Sequence, residues 1–452
     1  MNFNTGENIR FHPIDIGHKD YCAIIEPDSA FWALVKKTEL TKNLFSKKFQ
    51  NSLISKLHDY RGEINDLRFN LKPSAVYFNP TDRCNLNCSY CYIPEEMRKG
   101  GVHMSYDRMD EAVSKIRDYF TKSLPPGRKA QVVFHGAEPM LNKEAMFKII
   151  EKYSESFIFG IQSNGTLFEE SDIVFIRNYK VMLGLSMDGP SGDISDKTRK
   201  NWEGEGSFYK VEPLLAKFAN YDGLSVICTI STMNMDKLSQ VLDYFHKNKV
   251  KTCLLNVIRC TQSKSREIKP GDKNAAKYFT KALKRSRELF KRTGRKIVVA
   301  NFANILLAIL APAGRKLMCD ISPCGGGRCF FAVSASGDIF PCSEFIGLSE
   351  FRGGNIFSDS IDDILQSNVF KSITLRKCED IDFCRDCAIR NFCGSPCPAE
   401  AYTMNGGLNK RGAFCEFYEE QVRFAFRIIA DGIYEDFLPD NWDNGMIENS
   451  FI

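Results

Sequence analysis

Six short apolar runs follow one another from Ser74 onward: SAVYFNP, AQVVFHG, FIFGIQSNG, KVMLGLSMDG, LSVICTIS and KTCLLNVIR. They are rich in β-branched and aromatic residues and read as strands. Between them, apolar residues recur at helical spacing and predict amphipathic helices, among them 105–122, 142–154 and 235–247. Strands alternating with helices predict a parallel sheet with helices outside it. The near-continuous apolar runs suit strands covered on both faces. Six units fall short of the eight that close a barrel. The expectation is therefore an α/β fold, a partial (β/α)6 TIM-type barrel over residues 74–300. Three runs lead into small polar tails: HGAEP, SNGT and SMDGP. Ligands of parallel α/β folds collect at the carboxyl ends of strands, so these tails are expected to line one site.

Residues 1–73 contain a strand pattern, YCAIIEP, a helix-like run, SAFWALVKK, and a second helix pattern, NSLISKLHDYRGEIND. They predict a small α+β extension, either a lid or packing unit or a small peptide-docking module. Beyond Phe302 the periodicity gives way to cysteine, glycine and short loops until Cys415. A segment of this kind, 301–420, is expected to lack a large core and to be held together by metal. The tail, 421–452, continues a helix pattern that starts at Glu416 and ends in polar residues.

The net charge of +5 is too small for a nucleic-acid binder. It hides one strong asymmetry. Residues 261–296 carry 13 Lys or Arg against three acids. A solvated helix face is the ordinary reading, and a docking patch for an acidic peptide is the alternative. Nucleic acid is disfavoured because stacking aromatics are sparse there. The start, MNFNTGENIRFHPID, lacks the basic opening and apolar run of an export signal. The most apolar stretch, 297–313, holds two asparagines and a proline, so it reads as a buried helix and not as a membrane span. There are 17 cysteines. An odd count in a long chain without an export signal suits thiolate metal ligands in a reducing cytoplasm better than disulfides.

Three cysteines sit together directly after the first barrel strand, Cys84-x3-Cys88-x2-Cys91. Three thiolates on one tight loop suit three corners of a 4Fe–4S cube, which wants four ligands. With no fourth cysteine nearby, one iron is left for an exogenous ligand. A closed zinc site needs four ligands, and the loop holds no histidine. At RCNLNCSYCY the chain resembles the radical S-adenosylmethionine superfamily, with the aromatic Tyr90 just before the last cysteine. The resemblance extends to the tails. His135-Gly136-Ala137-Glu138-Pro139 is similar to the family's Gly-Gly-Glu segment, which implies that Gly136 and Glu138 receive the methionine amino group. SNGT is similar to the ribose-contacting segment, implying Ser163 and Asn164. SMDGP implies Ser186 and Asp188, with Arg199 as partner for the methionine carboxylate. The chemistry implied is reductive cleavage of S-adenosylmethionine to a 5′-deoxyadenosyl radical that abstracts a substrate hydrogen.

A second constellation follows: Cys324, Gly337-x4-Cys342, Cys384-x2-Cys387-x5-Cys393-x3-Cys397 and Cys415. It resembles the SPASM extension found behind many such barrels. The resemblance implies two auxiliary 4Fe–4S clusters, three clusters in all. Cys384, Cys387, Cys393 and Cys415 would hold one. Cys324, Cys342 and Cys397 would hold the other, with Cys319, Cys329 or an open iron at the fourth position. A pair of zinc ribbons is the alternative that spacing alone leaves open. Cys22, Cys228 and Cys253 fall in strand patterns and are expected to pack, Cys260 lies at a strand's carboxyl end, and Cys378 has no assignment.

The resemblance implies a peptide maturase in the cytoplasm. Its substrate is expected to be a ribosomal precursor peptide, with an acidic leader suited to the basic segment. A flavodoxin or ferredoxin is the expected reductant, with no nucleic-acid or membrane partner. The leading expectation is an intramolecular thioether crosslink. Carbon–carbon or carbon–oxygen crosslinking and sulfatase-type formylglycine formation are the alternatives. Sulfatase-maturing relatives carry an acid beside the cysteine matching Cys342; here the neighbour is Ser343, with Glu344 one place further on. A non-catalytic iron–sulfur or zinc scaffold is the reading from another class.

Overall fold

The computed structural model describes residues 2–4, 8–40, 47, 51, 54, 57, 61–315, 319, 321–394, 396–440 and 442. The six expected strands form where the apolar runs stand: β1 Ala75–Phe78, β2 Ala130–Phe134, β3 Phe157–Ser163, β4 Met182–Ser186, β5 Leu224–Ile230 and β6 Thr252–Val257. A two-residue strand, β7 Val298–Val299, adds to β6. From the cysteine-rich segment come β8 Phe330–Val333, β9 Asp338–Phe340 and β10 Gly354–Asn355. All ten belong to one sheet in the order β7-β6-β5-β4-β3-β2-β1-β8-β9-β10. Pairing is parallel from β7 through β8 and antiparallel in the β8-β9-β10 meander. The partial barrel is thus extended at its β1 edge by the segment that carries the second cysteine set, which protects that edge from pairing with another chain.

The helices run α1 Tyr106–Ser123, α2 Lys143–Tyr153, α3 Glu170–Asn178, α4 Phe208–Lys217, α5 Leu238–Lys247, α6 Asp272–Thr293, α7 Ala300–Leu310 and α8 Cys415–Ala430. In α1, Ser105 caps the first turn by accepting from Arg108 N, and Met109, Ala112, Val113, Ile116 and Phe120 line the buried face. Every residue of β2 is buried, as a parallel strand covered on both faces requires. Helix α7, the centre of the most apolar stretch, is buried from Phe302 to Ile309. No helix among the described residues is long and apolar enough to cross a membrane.

Two expectations fail. The SAFWALVKK run is not a helix: Phe31–Lys36 is a strand, antiparallel to Tyr21–Glu26. One face packs Phe31 and Val35 on Phe11, Cys22 and Ile24. The other sends Trp32 onto the body of the protein, where its Nε1 donates to Ile309 O at 2.8 Å and its ring meets Phe426. A strand buried on both faces has no alternation, so periodicity cannot tell it from a helix. The 301–420 segment also has an apolar core after all. Ala332, Phe340, Phe345, Ile346, Phe351 and Ile373 form one cluster, and Phe331, Phe370 and Phe392 join the main core. Much of the helix pattern over 51–66 lies outside the described residues.

Candidate active site

The loop after β1 is pinned from several directions. Cys84 N donates to Arg98 O at 3.0 Å, Asn87 N to Lys200 O at 2.7 Å and Ser89 N to Thr198 O at 3.0 Å. Trp202 Nε1 donates to Cys84 O at 2.9 Å. The buried Arg98 reaches Ile93 O, Leu86 O and the Asn87 side chain. Within the loop, Cys91 N donates to Cys88 O, and Leu86 N lies 3.4 Å from Cys84 Sγ. Burial raises all three thiols; the Cys88 thiol reaches about 11, with Arg199 opposing the rise. Glu138 and the other two thiols add to the rise at Cys84. Each thiol resists proton loss, and the cationic core of a bound cluster would reverse that preference; no group of three His, Cys, Asp or Glu among the described residues is spaced to hold a single metal ion.

The strand tails converge on this loop as the sequence pattern predicts. Glu138, fully buried, accepts from Ser163 Oγ at 2.7 Å, Asn164 N at 2.7 Å and Met140 N at 3.1 Å. It therefore joins the end of β2 to the end of β3. Asn164 donates to Asn85 Oδ1 at 2.8 Å and points the same amide at Cys84 Sγ, 3.9 Å away. Gly136 has φ +90, and a Cβ there would fall 2.2 Å from Asn79 Cγ. Only glycine fits, whereas the neighbouring Ala137 is accommodated. After β4, Asp188 accepts from Tyr90 OH at 2.6 Å, Thr198 Oγ1 at 3.2 Å and Thr229 N at 2.8 Å. Arg199 Nη1 donates to Tyr90 OH at 2.6 Å, and its buried Nε has no partner among the described residues. Ser186 stands half-buried at the end of β4.

Between the loop and the second cysteine set lies a polar interior. The Tyr92 hydroxyl is 3.4 Å from His135 Nδ1, and burial pushes His135 down to about 4. Arg259 Nε is 3.6 Å from Glu344 Oε1, while Glu344 Oε2 is buried without a partner among the described residues. Burial pushes Glu344 up to about 7 against the pull of Arg259. Glu344 lies within electrostatic reach of Cys91 and also of Cys342 and Cys397. Ser343 is buried, its hydroxyl without a partner among the described residues.

The C-terminal thiols fall into two groups. Burial and then the neighbouring Cys319 raise Cys342, with Cys324 adding to the effect. Cys397, pushed to about 12 by burial, also feels Cys324. Cys384 is pushed to about 12 by burial and by its neighbours Cys378, Cys387 and Cys415. Cys329 packs in an apolar cluster with Phe330 and Ile321. Cys393 is half-buried and packs against the main core. Cys22, Cys228 and Cys253 pack as expected, and Cys260 is buried with its N–H donating to Glu400 Oε1. Cys378 is buried 2.5 Å from Ser322 Oγ.

Two buried arginines test whether anionic clusters belong here. Arg328 and Arg376 are each 4% exposed and make no ion pair among the described residues. Arg328 donates to Cys324 O and Ser322 O, leaving Nη1 unpartnered. Arg376 donates to Pro323 O, Leu408 O and Asn409 Oδ1. The groups that oppose their desolvation are thiols: Cys329, Cys324 and Cys378 for Arg328, and Cys324, Cys397, Cys378 and Cys384 for Arg376. An isolated buried cation is costly. Thiolate-ligated clusters of negative charge would supply the missing counter-charge, so the donor set fits them.

Sequence reasoning missed Asn79, Asn85, Arg98, Trp202 and Arg259. Only Arg259 carried a readable signal, because it directly follows the sixth strand run.

A parallel partial barrel with three thiols beyond its first strand, polar tails around them and a thiol-rich extension on its edge defines an iron–sulfur radical enzyme. The radical SAM superfamily model matches residues 78–245, and that of SPASM, an iron–sulfur cluster-binding domain, matches residues 324–388. An uncharacterised protein of Archaeoglobus fulgidus is 38% identical to this chain, covering 90% of it and 92% of its own length. A cysteine-type anaerobic sulfatase-maturating enzyme of Clostridium perfringens is 26% identical over 79% of this chain and 97% of its own. Among solved structures, native anSMEcpe with bound AdoMet and Cp18Cys peptide superimposes with a TM-score of 0.68 at 22% identity, covering 80% of this chain and 99% of that one. Streptococcus suis SuiB bound to precursor peptide SuiA gives 0.56 at 12% or less, namely 11%, over 90% and 97%. The chain belongs to the radical SAM superfamily and carries a SPASM domain; it is an enzyme whose family uses S-adenosylmethionine and iron–sulfur clusters.

Proposed function

We propose that this enzyme matures a ribosomally made precursor peptide by joining a cysteine sulfur to a carbon of the same peptide in a thioether. One observation carries the reading: Glu344, 3.6 Å from Arg259, is within electrostatic reach of both Cys91 and the Cys342–Cys397 group, so a peptide held beside it meets both thiol sets. The similarity to a sulfatase-maturating enzyme and to structures with bound peptides supports a peptide substrate. When bound at Cys84, Cys88 and Cys91, the cluster with S-adenosylmethionine supplies a hydrogen-abstracting radical.

The chain's own residues prepare that site. Arg199, with its free buried Nε, receives the methionine carboxylate. Gly136 and Glu138 present the end of β2 to the amino group; Ser163 and Asn164 meet the ribose; Tyr90, Ser186 and Asp188 complete the wall. Closing the thioether removes a hydrogen atom from carbon, a proton from the thiol and one electron. Cys319, Cys324, Cys342 and Cys397 hold the first auxiliary cluster, and Cys384, Cys387, Cys393 and Cys415 the second, giving three clusters. Residues 1–73 form the leader-binding module, 74–300 the barrel, 301–420 the auxiliary-cluster domain and 421–452 the tail.

A second reading, sulfatase-type formylglycine formation, is favoured by the unpartnered Glu344 oxygen, which offers a proton acceptor although Ser343 replaces the adjoining acid. Mass spectrometry of the treated peptide separates the two. A thioether loses two hydrogens, keeps its sulfur and masks the cysteine from alkylation. Formylglycine from cysteine exchanges sulfur for oxygen.

A further inference from the structure

Side chains alternate along a strand, so Asn79, directly after β1, continues the row of Ala75 and Tyr77. That row faces away from the helices. Ala75 and Tyr77 pack with Val133 and Phe330, and Cys342 joins the same cluster. Val76 and Phe78 instead meet the helix residues of the main core. Backbone bonds fix the place of Asn79. Its N–H donates to Val333 O at 2.9 Å, and the adjoining Phe78 O accepts from His135 N at 2.9 Å. Asn79 is 2% exposed, yet its Oδ1 has no partner among the described residues.

The amide rests against Gly136. A Cβ on Gly136 would fall 2.2 Å from Asn79 Cγ and 2.3 Å from both Nδ2 and Oδ1, so the glycine makes the room that the amide occupies. A buried acceptor without a donor is costly, and such groups are kept where a ligand completes them. The nearby carboxylate has no such need: Glu138 already accepts from Ser163, Asn164 and Met140. A second unmet atom of opposite kind borders the thiol loop. Arg199 Nε is a buried donor without a partner among the described residues, and its Nη1 bonds to Tyr90 inside that loop. One free acceptor and one free donor suit the two ends of an amino-acid zwitterion, whose ammonium donates and whose carboxylate accepts.

We propose that Asn79 is a specificity-determining residue for S-adenosylmethionine, its Oδ1 accepting a hydrogen bond from the methionine amino group. This rests on the reading that Gly136 and Arg199 flank the methionine moiety. An ammonium carries several N–H donors, so the end of β2 and Asn79 are served by the same group. Its hydrogen bond to a neutral acceptor is charge-assisted and stronger than one from a peptide N–H, which favours the amino group over the backbone of a substrate peptide. A ligand without the amine leaves the buried oxygen unpaired, and a site built around a ligand's N–H rejects analogues that lack it. Asn79 thereby makes the site read the amino group and not only the sulfonium and the nucleoside.

The test is equilibrium dialysis of the full-length reconstituted enzyme without reductant, using two probes: S-adenosylmethionine, and its analogue in which a keto oxygen replaces the amino group. Asn79→Leu exchanges the amide for an apolar side chain of similar shape, and Asn79→Ala serves in its place if the leucine variant does not fold. The expected result is S-adenosylmethionine binding about tenfold weaker in the variant, with binding of the keto analogue unchanged or tighter. Without either probe, Asn79→Leu is expected to unfold at the wild-type temperature or above it, because the exchange removes an unmet buried acceptor. Equal affinity of wild type and variant for S-adenosylmethionine would overturn the proposal. Equal weakening of both probes would overturn it too, since the amide would then act on another part of the ligand or on the fold. A wild type that binds neither probe would instead remove the functional reading beneath the proposal, so the two failures are told apart.

Discussion

Arg199 donates through Nη1 to the Tyr90 hydroxyl at 2.6 Å, across 109 residues of sequence. That phenol donates its own hydrogen bond to Asp188 Oδ2 at 2.6 Å. The thiol-bearing loop and the tail of β4 are thereby locked together. Tyr90→Phe leaves a buried cation and a buried carboxylate each short of a partner, a loss of about 1–3 kcal/mol. S-adenosylmethionine affinity, measured by equilibrium dialysis on reconstituted protein, is expected to weaken about tenfold with iron content unchanged.

Gly136→Ala and Ala137→Gly should differ sharply in cost. Gly136→Ala places a methyl 2.2 Å from Asn79 Cγ at φ +90. Overpacking and left-handed strain together cost on the order of 3 kcal/mol. Thermal unfolding is expected to show a clear fall for Gly136→Ala and little change for Ala137→Gly.

The path from sequence to this site was open in part. The six strands, their parallel pairing and the convergence of the tails were legible because apolar runs and turn residues are local signals. The strand at Phe31–Lys36 was not, because Trp32 docks on Ile309 and Phe426 and so erases the alternation a strand normally shows. The core of the 301–420 segment was hidden because its apolar residues come from separate short strands, helical turns and a seven-residue helix, Asn368–Thr374, each too short to show a clear period. Arg376 was invisible because only the folded chain brings Pro323 and Leu408 around it.

His135 predicts a pH dependence. Burial lowers it from 6.5 to about 4, so the native state holds it neutral. The unfolded chain binds a proton as pH falls through 6.5, and stability is lost progressively between 6.5 and about 4. The full effect is on the order of 3 kcal/mol. Apparent unfolding midpoints between pH 7.5 and 5.5 should decline less in His135→Gln than in the wild type, to the extent of about half that amount.

Arg376 predicts a selective loss of iron. Arg376→Met removes the buried cation between the Cys324–Cys397 and Cys378–Cys384 neighbourhoods. Iron from the auxiliary sites is expected to pass to a chelator about tenfold faster. The iron of the Cys84 loop should be released at the wild-type rate, and Arg376→Lys should recover part of the loss.

The most direct test of the account is anaerobic incubation of the reconstituted enzyme with S-adenosylmethionine and dithionite, followed by chromatography for 5′-deoxyadenosine. The wild type is expected to form it, and C84A/C88A/C91A to form none while keeping its auxiliary iron. A triple variant that cleaves S-adenosylmethionine as the wild type does, or a fully iron-loaded wild type that forms no 5′-deoxyadenosine, would contradict it.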